Sequence, residues 1–141
     1  MPDDVRSTCL CLAARRLARR VSQAYEAHLA KTGLTITQFT ILAALESVGP
    51  DGAPLAPVAE ALDMDASTLS RTIRPLVREG LVVLVAGADR RERLARLTPA
   101  GRTRRQAALP AWRAAQRAAT AALGGGTHKT LSTLLAGARR L

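Results

Sequence analysis

Two short helical patterns separated by a tight connection constrain the fold of this chain more than any other feature of its sequence. The first pattern runs from Leu55 to Leu62. The second runs from Ala66 to about Glu79 and ends at Gly80, a residue type typical of the position just past a helix C-terminus. The connection Asp63-Met64-Asp65 leaves Asp65 in a position to cap the second helix. The segment therefore predicts two helices joined by a turn.

The hydrophobic period changes directly after this pair. Leu81 to Val85 is a β-branched apolar run, Ala86 to Glu92 is a polar turn, and Arg93 to Thr98 can return as a second strand. We expect a β-hairpin with a charged tip, in which Asp89 or Glu92 holds a neighbouring arginine by a charge-assisted hydrogen bond. Two short helices followed by a two-stranded ribbon predict a winged helix-turn-helix.

Long helical patterns flank this core on both sides, and they predict a mainly α fold with a small β-hairpin wing. The segment Thr35-Ile36-Thr37-Gln38 fits a capping box, and Gly124-Gly125-Gly126 separates the last two helices. The predicted flanking helices are 6–31, 36–48, 99–123 and 127–140. The first and last helices have apolar faces too distant in sequence to be explained by the central motif, which favours dimerisation.

The chain is strongly basic. Its 141 residues include 21 Lys and Arg against 11 Asp and Glu, a formal net charge of +10. Such an excess attracts polyanions, nucleic acids among them. A merely solubilising charge and a compositional bias toward Arg and Ala remain open as alternatives, so the positions of the arginines must decide.

The sequence gives little support for a membrane protein or an enzyme. No apolar run approaches the roughly 20 residues that span a bilayer, and the start of the chain carries Asp3 and Asp4 rather than a basic signal region. We expect a cytoplasmic protein with no membrane partner. The histidines, His28 and His128, lack a Ser, Cys or carboxylate pattern suited to a triad, and no Gly-rich phosphate-binding turn follows a strand. We therefore expect no enzyme activity, no catalytic residue, no cofactor and no metal site.

The second short helix has the two faces that a DNA-reading helix needs. Leu69, Ile73, Leu76 and Val77 fall within one arc, while Ser67, Arg71, Arg74 and Arg78 fall on the opposite arc. Small hydroxyl side chains let the helix N-terminus approach a major groove, and arginine can bind guanine or phosphate. The candidate DNA-binding residues are Ser67, Thr68, Ser70, Arg71 and Arg74 on the helix, with Arg90 and Arg91 at the hairpin tip.

Five segments in order and at the right spacing resemble the MarR family of transcription regulators. They are Leu34-Thr-Ile-Thr-Gln-Phe, Leu62-Asp-Met-Asp-Ala-Ser-Thr-Leu-Ser-Arg, Leu76-Val-Arg-Glu-Gly-Leu-Val, Asp89-Arg-Arg and Leu97-Thr-Pro-Ala-Gly101. The resemblance implies one domain over 1–141, with a winged helix-turn-helix core at 34–98 and dimerisation helices at 6–31 and 99–141. It also implies an obligate homodimer that contacts DNA through a recognition helix at 66–79 and a wing at 86–93.

Two kinds of signal could control such a regulator. Cys11 falls where the organic-hydroperoxide sensors of the family are similar in having a reactive cysteine, and Tyr25 matches an accompanying tyrosine, although Arg15 and Ile36 replace two others. Cys9 and Cys11 should point about 160° apart on one helix, which disfavours a disulfide or shared metal. Packing of Cys11 at a dimer contact is the alternative. A small aromatic inducer is also possible, in a crevice lined by Tyr25, His28, Phe39 and Trp112.

The sequence thus predicts a sequence-specific DNA-binding repressor that binds an inverted repeat of double-stranded DNA as a homodimer. A small ligand or thiol oxidation would release it. The alternative from another class is a nonspecific or architectural DNA-binding protein, which shares the basic charge but needs no discriminating helix.

Overall fold

The computed structural model describes residues 3–141, and the chain divides into two compact units, residues 29–110 and residues 3–28 with 111–141. Seven helices and three short strands make up the described chain, which confirms the mainly α fold with a small β wing. The elements are α1 Asp3–Thr8, α2 Leu10–Leu29, α3 Ile36–Val48, β1 Ala53–Pro54, α4 Leu55–Ala61, α5 Ala66–Arg78, β2 Val82–Ala86, β3 Arg93–Leu97, α6 Pro99–Leu123 and α7 Thr127–Ala138. Within residues 3–141, none of the helices is both long enough and apolar enough to cross a membrane.

The core of the 29–110 unit is built from aliphatic side chains of α3, α5 and the sheet. Helix α3 begins at the predicted capping box, since the Thr35 hydroxyl accepts the N–H of Gln38 and the Gln38 side chain accepts the N–H of Thr35. The fully buried side chains of this unit include Leu29, Ile41, Leu42, Leu45, Leu69, Ile73, Leu76 and Val82. Their burial fixes which face of α5 points inward.

The sheet has three strands in the order β1-β3-β2. The predicted hairpin of β2 and β3 is confirmed, and β1 adds a third strand that was not predicted. Strand β3 pairs antiparallel with β2 along its whole length and with the short β1 through Ala53 opposite Ala95 and Pro54 opposite Leu94. Strand β1 has only two residues, too few to show a hydrophobic period. One of them is Pro54, which has no N–H to donate to a neighbouring strand. Only the tertiary contact with β3 defines it.

The Leu97-Thr-Pro-Ala-Gly101 segment joins the wing to α6. The Thr98 hydroxyl donates to the Gly80 carbonyl and accepts the N–H of Gly101, while the Thr98 N–H donates to the Leu81 carbonyl. A Cβ at Gly101 would lie 2.1 Å from the Leu81 carbonyl oxygen, a distance that real side chains do not adopt. Glycine is therefore needed for close approach between α6 and the turn after α5.

The 3–28 and 111–141 unit contains α1, most of α2, the second part of α6 and α7. The predicted single helix over 6–31 was wrong, because the chain is interrupted at Cys9 and the second helix ends at Leu29. At the break the Cys9 sulfur accepts the N–H of Leu12 at 3.4 Å, an N-cap arrangement that starts α2 afresh. Cysteine is not a usual cap residue, so no sequence signal marked this boundary.

Candidate nucleic-acid interface

Helix α5 begins at Asp65, which takes the N-cap position with an extended backbone, while its side chain makes no capping hydrogen bond. The backbone carbonyl of Asp65 accepts the N–H of Leu69 at 3.0 Å, so the helix starts where predicted. The predicted capping role of the Asp65 carboxylate was wrong. Because no side chain caps this end, the first N–H groups of α5 can be satisfied by water or by an oxygen anion such as a phosphate.

The two faces of α5 differ sharply in exposure. Leu69, Ile73 and Leu76 are buried, and Val77 is half-buried. On the other face Ser67, Arg71, Arg74 and Arg78 are exposed, while Thr68 and Ser70 are half-buried. The Arg71 Nη2 atom lies 3.5 Å from the Thr68 hydroxyl, a contact at the limit of a hydrogen bond. The helix therefore presents hydroxyls at its start and arginines along its length.

The wing projects its arginines from a turn that the backbone holds in place. The Gly87 N–H donates to the Glu92 carbonyl and the Glu92 N–H donates to the Asp89 carbonyl, each at 2.9 Å. The Asp89 carboxylate accepts the backbone N–H of Arg91 at 3.2 Å. Arg90 and Arg91 are both exposed at this tip.

The expected ion pair at the wing does not form among the described residues. Both salt bridges found within residues 4–141 belong to Glu46, with Arg102 and Arg105, and neither Asp89 nor Glu92 binds a guanidinium. The Asp89 carboxylate is engaged by the backbone instead, an Asx-type turn that competes with side-chain pairing. The wing arginines consequently keep their charges free for a ligand.

A second polar cluster fastens α3 to α6 within the 29–110 unit and was not anticipated from the sequence. The Arg105 Nε atom lies 2.8 Å from one Glu46 oxygen, and the Arg102 Nε atom lies 3.5 Å from the other. The Arg105 guanidinium also sits 5.8 Å from the centre of the Phe39 ring, within the range of a cation–π contact. These arginines hold the scaffold together and are not candidates for DNA contact.

The MarR family model matches residues 32–92, the segment that holds α3 to the wing tip. The M. tuberculosis regulator MosR, solved in complex with DNA, is 36% identical to this chain; the match covers 94% of this chain and 99% of MosR with a TM-score of 0.81. This chain belongs to the MarR family. As a MarR protein it is one of a family of transcriptional regulators, with the winged helix-turn-helix fold.

Two further solved structures agree with this membership. A probable transcriptional regulator from Pseudomonas aeruginosa is 31% identical to this chain. The match covers 92% of this chain and 96% of that protein, with a TM-score of 0.79. The transcriptional repressor CouR, bound to a 23-mer DNA duplex, is 25% identical, with 99% and 98% covered and a TM-score of 0.82. No curated protein sequence matches the chain significantly.

The candidate sensor residues of this MarR protein lie in the 3–28 and 111–141 unit. Cys11 is exposed in the first turn of α2, and Cys9 is half-buried at the break before it. The Tyr25 hydroxyl donates to the Gln116 side-chain oxygen, and burial raises the pKa of this phenol. Because Cys9 lies outside α2, the 160° separation expected for two cysteines on one helix does not describe this pair.

The residues suggested for an aromatic inducer are divided between the two units. His28 is exposed, and its Nδ1 atom lies 2.8 Å from the Ala24 carbonyl oxygen. Trp112 is half-buried in the same unit. Phe39 is buried in the 29–110 unit, where Arg105 covers its ring.

Proposed function

We propose that this protein is a sequence-specific repressor that binds double-stranded DNA through α5 and the wing. The observation that carries the proposal is the exposed arginine face of α5 opposite the buried side chains of Leu69, Ile73 and Leu76. Arg71 and Arg74 would contact base edges or phosphates in the major groove, while Ser67, Thr68 and Ser70 let the helix start approach closely. Arg90 and Arg91 would enter the adjacent minor groove, where the negative potential is strongest. The DNA complexes of MosR and CouR support this assignment.

The proposed active form is a homodimer on an inverted repeat. An open groove of about 700 Å³ lies along α2 and α7, and its lining contains no charged side chain. Its lining residues are Leu10, Ala13, Ala14, Leu17, Ala18, Val21, Ser22, Leu131, Leu134, Leu135 and Ala138. A second copy that covered this surface would bury exposed aliphatic area and would space two recognition helices about 10 base pairs apart.

The test of DNA recognition compares the duplex upstream of the protein's own gene with a random duplex at one salt concentration. Fluorescence anisotropy should show that Arg71→Ala and Arg74→Ala each weaken specific binding by about 10-fold or more and nonspecific binding much less. The matched control is Arg113→Ala, which removes the same charge from an exposed position on α6. Equal affinity of the wild-type protein for both duplexes would instead identify a nonspecific or architectural DNA-binding protein.

Release of DNA is proposed to follow either thiol oxidation or binding of a small ligand. Cys11, Cys9 and Tyr25 are the proposed sensor residues in the redox case. Mass measurement of the thiols after peroxide treatment, with DNA binding assayed in parallel, distinguishes the two signals. Full oxidation of Cys11 with unchanged DNA affinity would leave ligand binding as the signal.

A further inference from the structure

The unit of residues 3–28 and 111–141 carries most of the excess positive charge of the chain. The sequence has ten Lys and Arg against three Asp and Glu over 1–28 and 111–141, whereas it has eleven against eight over 29–110. The proposed DNA-reading elements, α5 and the wing, belong to the 29–110 unit. Their reading of DNA therefore does not account for the charge of the other unit.

Four arginines of that unit lie close together on α2 and form what we call the arginine face. They are Arg15, Arg16, Arg19 and Arg20, and all four are exposed. At 100° per residue they cover an arc of about 140° on the helix surface. None of them lines the uncharged groove along α2 and α7 that is proposed for the second copy, so that contact does not use them.

No carboxylate neutralises the arginine face within the described residues. The one acidic residue of α2 is Glu26, and no acidic residue lies three or four positions from any of the four arginines. Both salt bridges of residues 4–141 are made by Glu46 in the other unit. The four arginines instead form two like-charged pairs one turn apart, an arrangement that destabilises a helix. A bound polyanion would remove this repulsion.

The charge density of the arginine face matches that of a nucleic-acid duplex. From Arg15 to Arg20 the helix rises about 7.5 Å, at about 1.5 Å per residue. Double-stranded DNA carries one phosphate per about 1.7 Å of its axis, hence about four phosphates over the same length. Four guanidinium groups therefore face a comparable number of phosphates.

We propose that the arginine face of α2 is a second DNA-binding surface, which contacts the phosphates of duplex DNA and reads no bases. An anionic membrane fits less well, because a helix on a membrane inserts its apolar side, and that side of α2 is proposed for the second copy. The phosphate contact adds affinity without sequence preference. It does not depend on DNA reading by α5 and the wing, since it uses other residues in the other unit.

The salt dependence of binding to a duplex of random sequence tests the proposal on the full-length protein. A plot of log affinity against log salt concentration has a slope of about −0.9 per phosphate contacted, so four lost contacts make it shallower by up to about 3.6. Fluorescence anisotropy at each salt concentration gives the affinity. We expect the slope to change by at least about 2 in the α2 glutamine variant, which combines Arg15→Gln, Arg16→Gln, Arg19→Gln and Arg20→Gln.

Two further variants separate a phosphate contact from the effect of net charge. Lysine at the same four positions should restore the wild-type slope, because lysine binds phosphate as a point charge. A control glutamine variant removes four exposed arginines from the rest of the unit and should change the slope by less than about 1. It combines Arg113→Gln, Arg117→Gln, Arg139→Gln and Arg140→Gln.

A second background keeps this proposal distinct from the proposed reading of DNA by α5. In a protein that already carries Arg71→Ala and Arg74→Ala, the α2 glutamine substitutions should change the slope by the same amount, whether or not α5 reads bases. The smaller change Arg15→Gln with Arg19→Gln should give about half of the effect. It tests the same face if the fourfold variant does not fold.

Two results would overturn the proposal. Equal changes in the α2 glutamine variant and the control glutamine variant would indicate a general attraction of DNA to a basic protein. An unchanged slope in the α2 glutamine variant would show that the face contacts no DNA phosphate. Loss of binding to phosphatidylserine vesicles in that variant would then assign the face to an anionic membrane.

Discussion

At the scale of single residues, Thr98 and Gly101 show how a short segment can determine where the wing lies relative to α5. One threonine hydroxyl joins the turn after α5 to the start of α6, and one glycine lets the two backbones approach. Neither residue contacts the proposed DNA surface. Their effect on DNA binding would pass through the position of the wing.

Replacement of Gly101 by alanine should destabilise the protein by about 1–3 kcal/mol, because the new Cβ overlaps the Leu81 carbonyl oxygen. Urea unfolding followed by circular dichroism measures the change. Gly125→Ala is the matched control, since no atom lies within 4 Å of a Cβ at that position. A Gly101→Ala protein as stable as wild type would contradict the close approach.

Tyr25 is the single tyrosine of the chain, so its ionisation can be followed by absorbance without ambiguity. Burial favours the neutral phenol and raises its pKa above 10.0, so the folded protein should ionise at a higher pH than the urea-unfolded chain. The free energy of unfolding that the neutral Tyr25 phenol contributes is fully present below the pKa of Tyr25 in the unfolded chain. It is lost as the pH rises through the higher pKa of Tyr25 in the folded protein. A folded titration midpoint at or below the unfolded one would refute the shift.

At the scale of elements, α3 and α5 begin with similar sequence signals but different structures. Thr35 and Gln38 form both hydrogen bonds of a capping box at the start of α3. Asp65 precedes α5 in the same position without a side-chain bond. Local signals therefore located both helix starts, while the cap that stabilises the helix exists only at α3.

We expect Thr35→Ala to cost about 1 kcal/mol of unfolding free energy, and Asp65→Ala to change it by less than about 0.5 kcal/mol. The reason is that only the first substitution removes a hydrogen bond to an N-terminal N–H group. Chemical denaturation of the two variants in parallel gives the comparison. A larger loss for Asp65→Ala would show that its carboxylate stabilises α5 after all.

At the scale of the whole molecule, the large exposed aliphatic side chains are concentrated in the unit that is proposed to dimerise. Leu10, Leu134 and Leu135 are 85%, 63% and 60% exposed, and all three line the uncharged groove along α7. Aliphatic side chains at this exposure are costly in a contiguous patch unless a partner covers them.

The variant Leu134→Asp with Leu135→Asp should therefore be monomeric by sedimentation, because two carboxylates would be buried without partners in the dimer contact. Its affinity for an inverted repeat should fall at least about 100-fold, since one monomer holds a single half-site. Val48→Asp is the control, as it charges an exposed aliphatic residue outside the groove. A dimeric double variant would exclude this surface as the subunit contact.

The sequence by itself determined the helices after residue 35, the hairpin and the two faces of α5, because each depends on local chemistry. A capping box, a glycine after a helix, and a change of hydrophobic period act over a few residues and can be read without a partner. The exposed arginines at 71, 74, 90 and 91 followed directly from that reading.

Tertiary structure alone decided the features that depend on distant residues. Strand β1 exists because Ala95 lies opposite Ala53, and the Glu46 cluster exists because α6 returns to α3. Two local features were also not predicted: the Asp89 carboxylate accepts the backbone N–H of Arg91, and the chain between α1 and α2 is interrupted at Cys9. The uncharged groove along α2 and α7 likewise requires both helices together, since no pattern within one helix shows which side chains another helix brings alongside it.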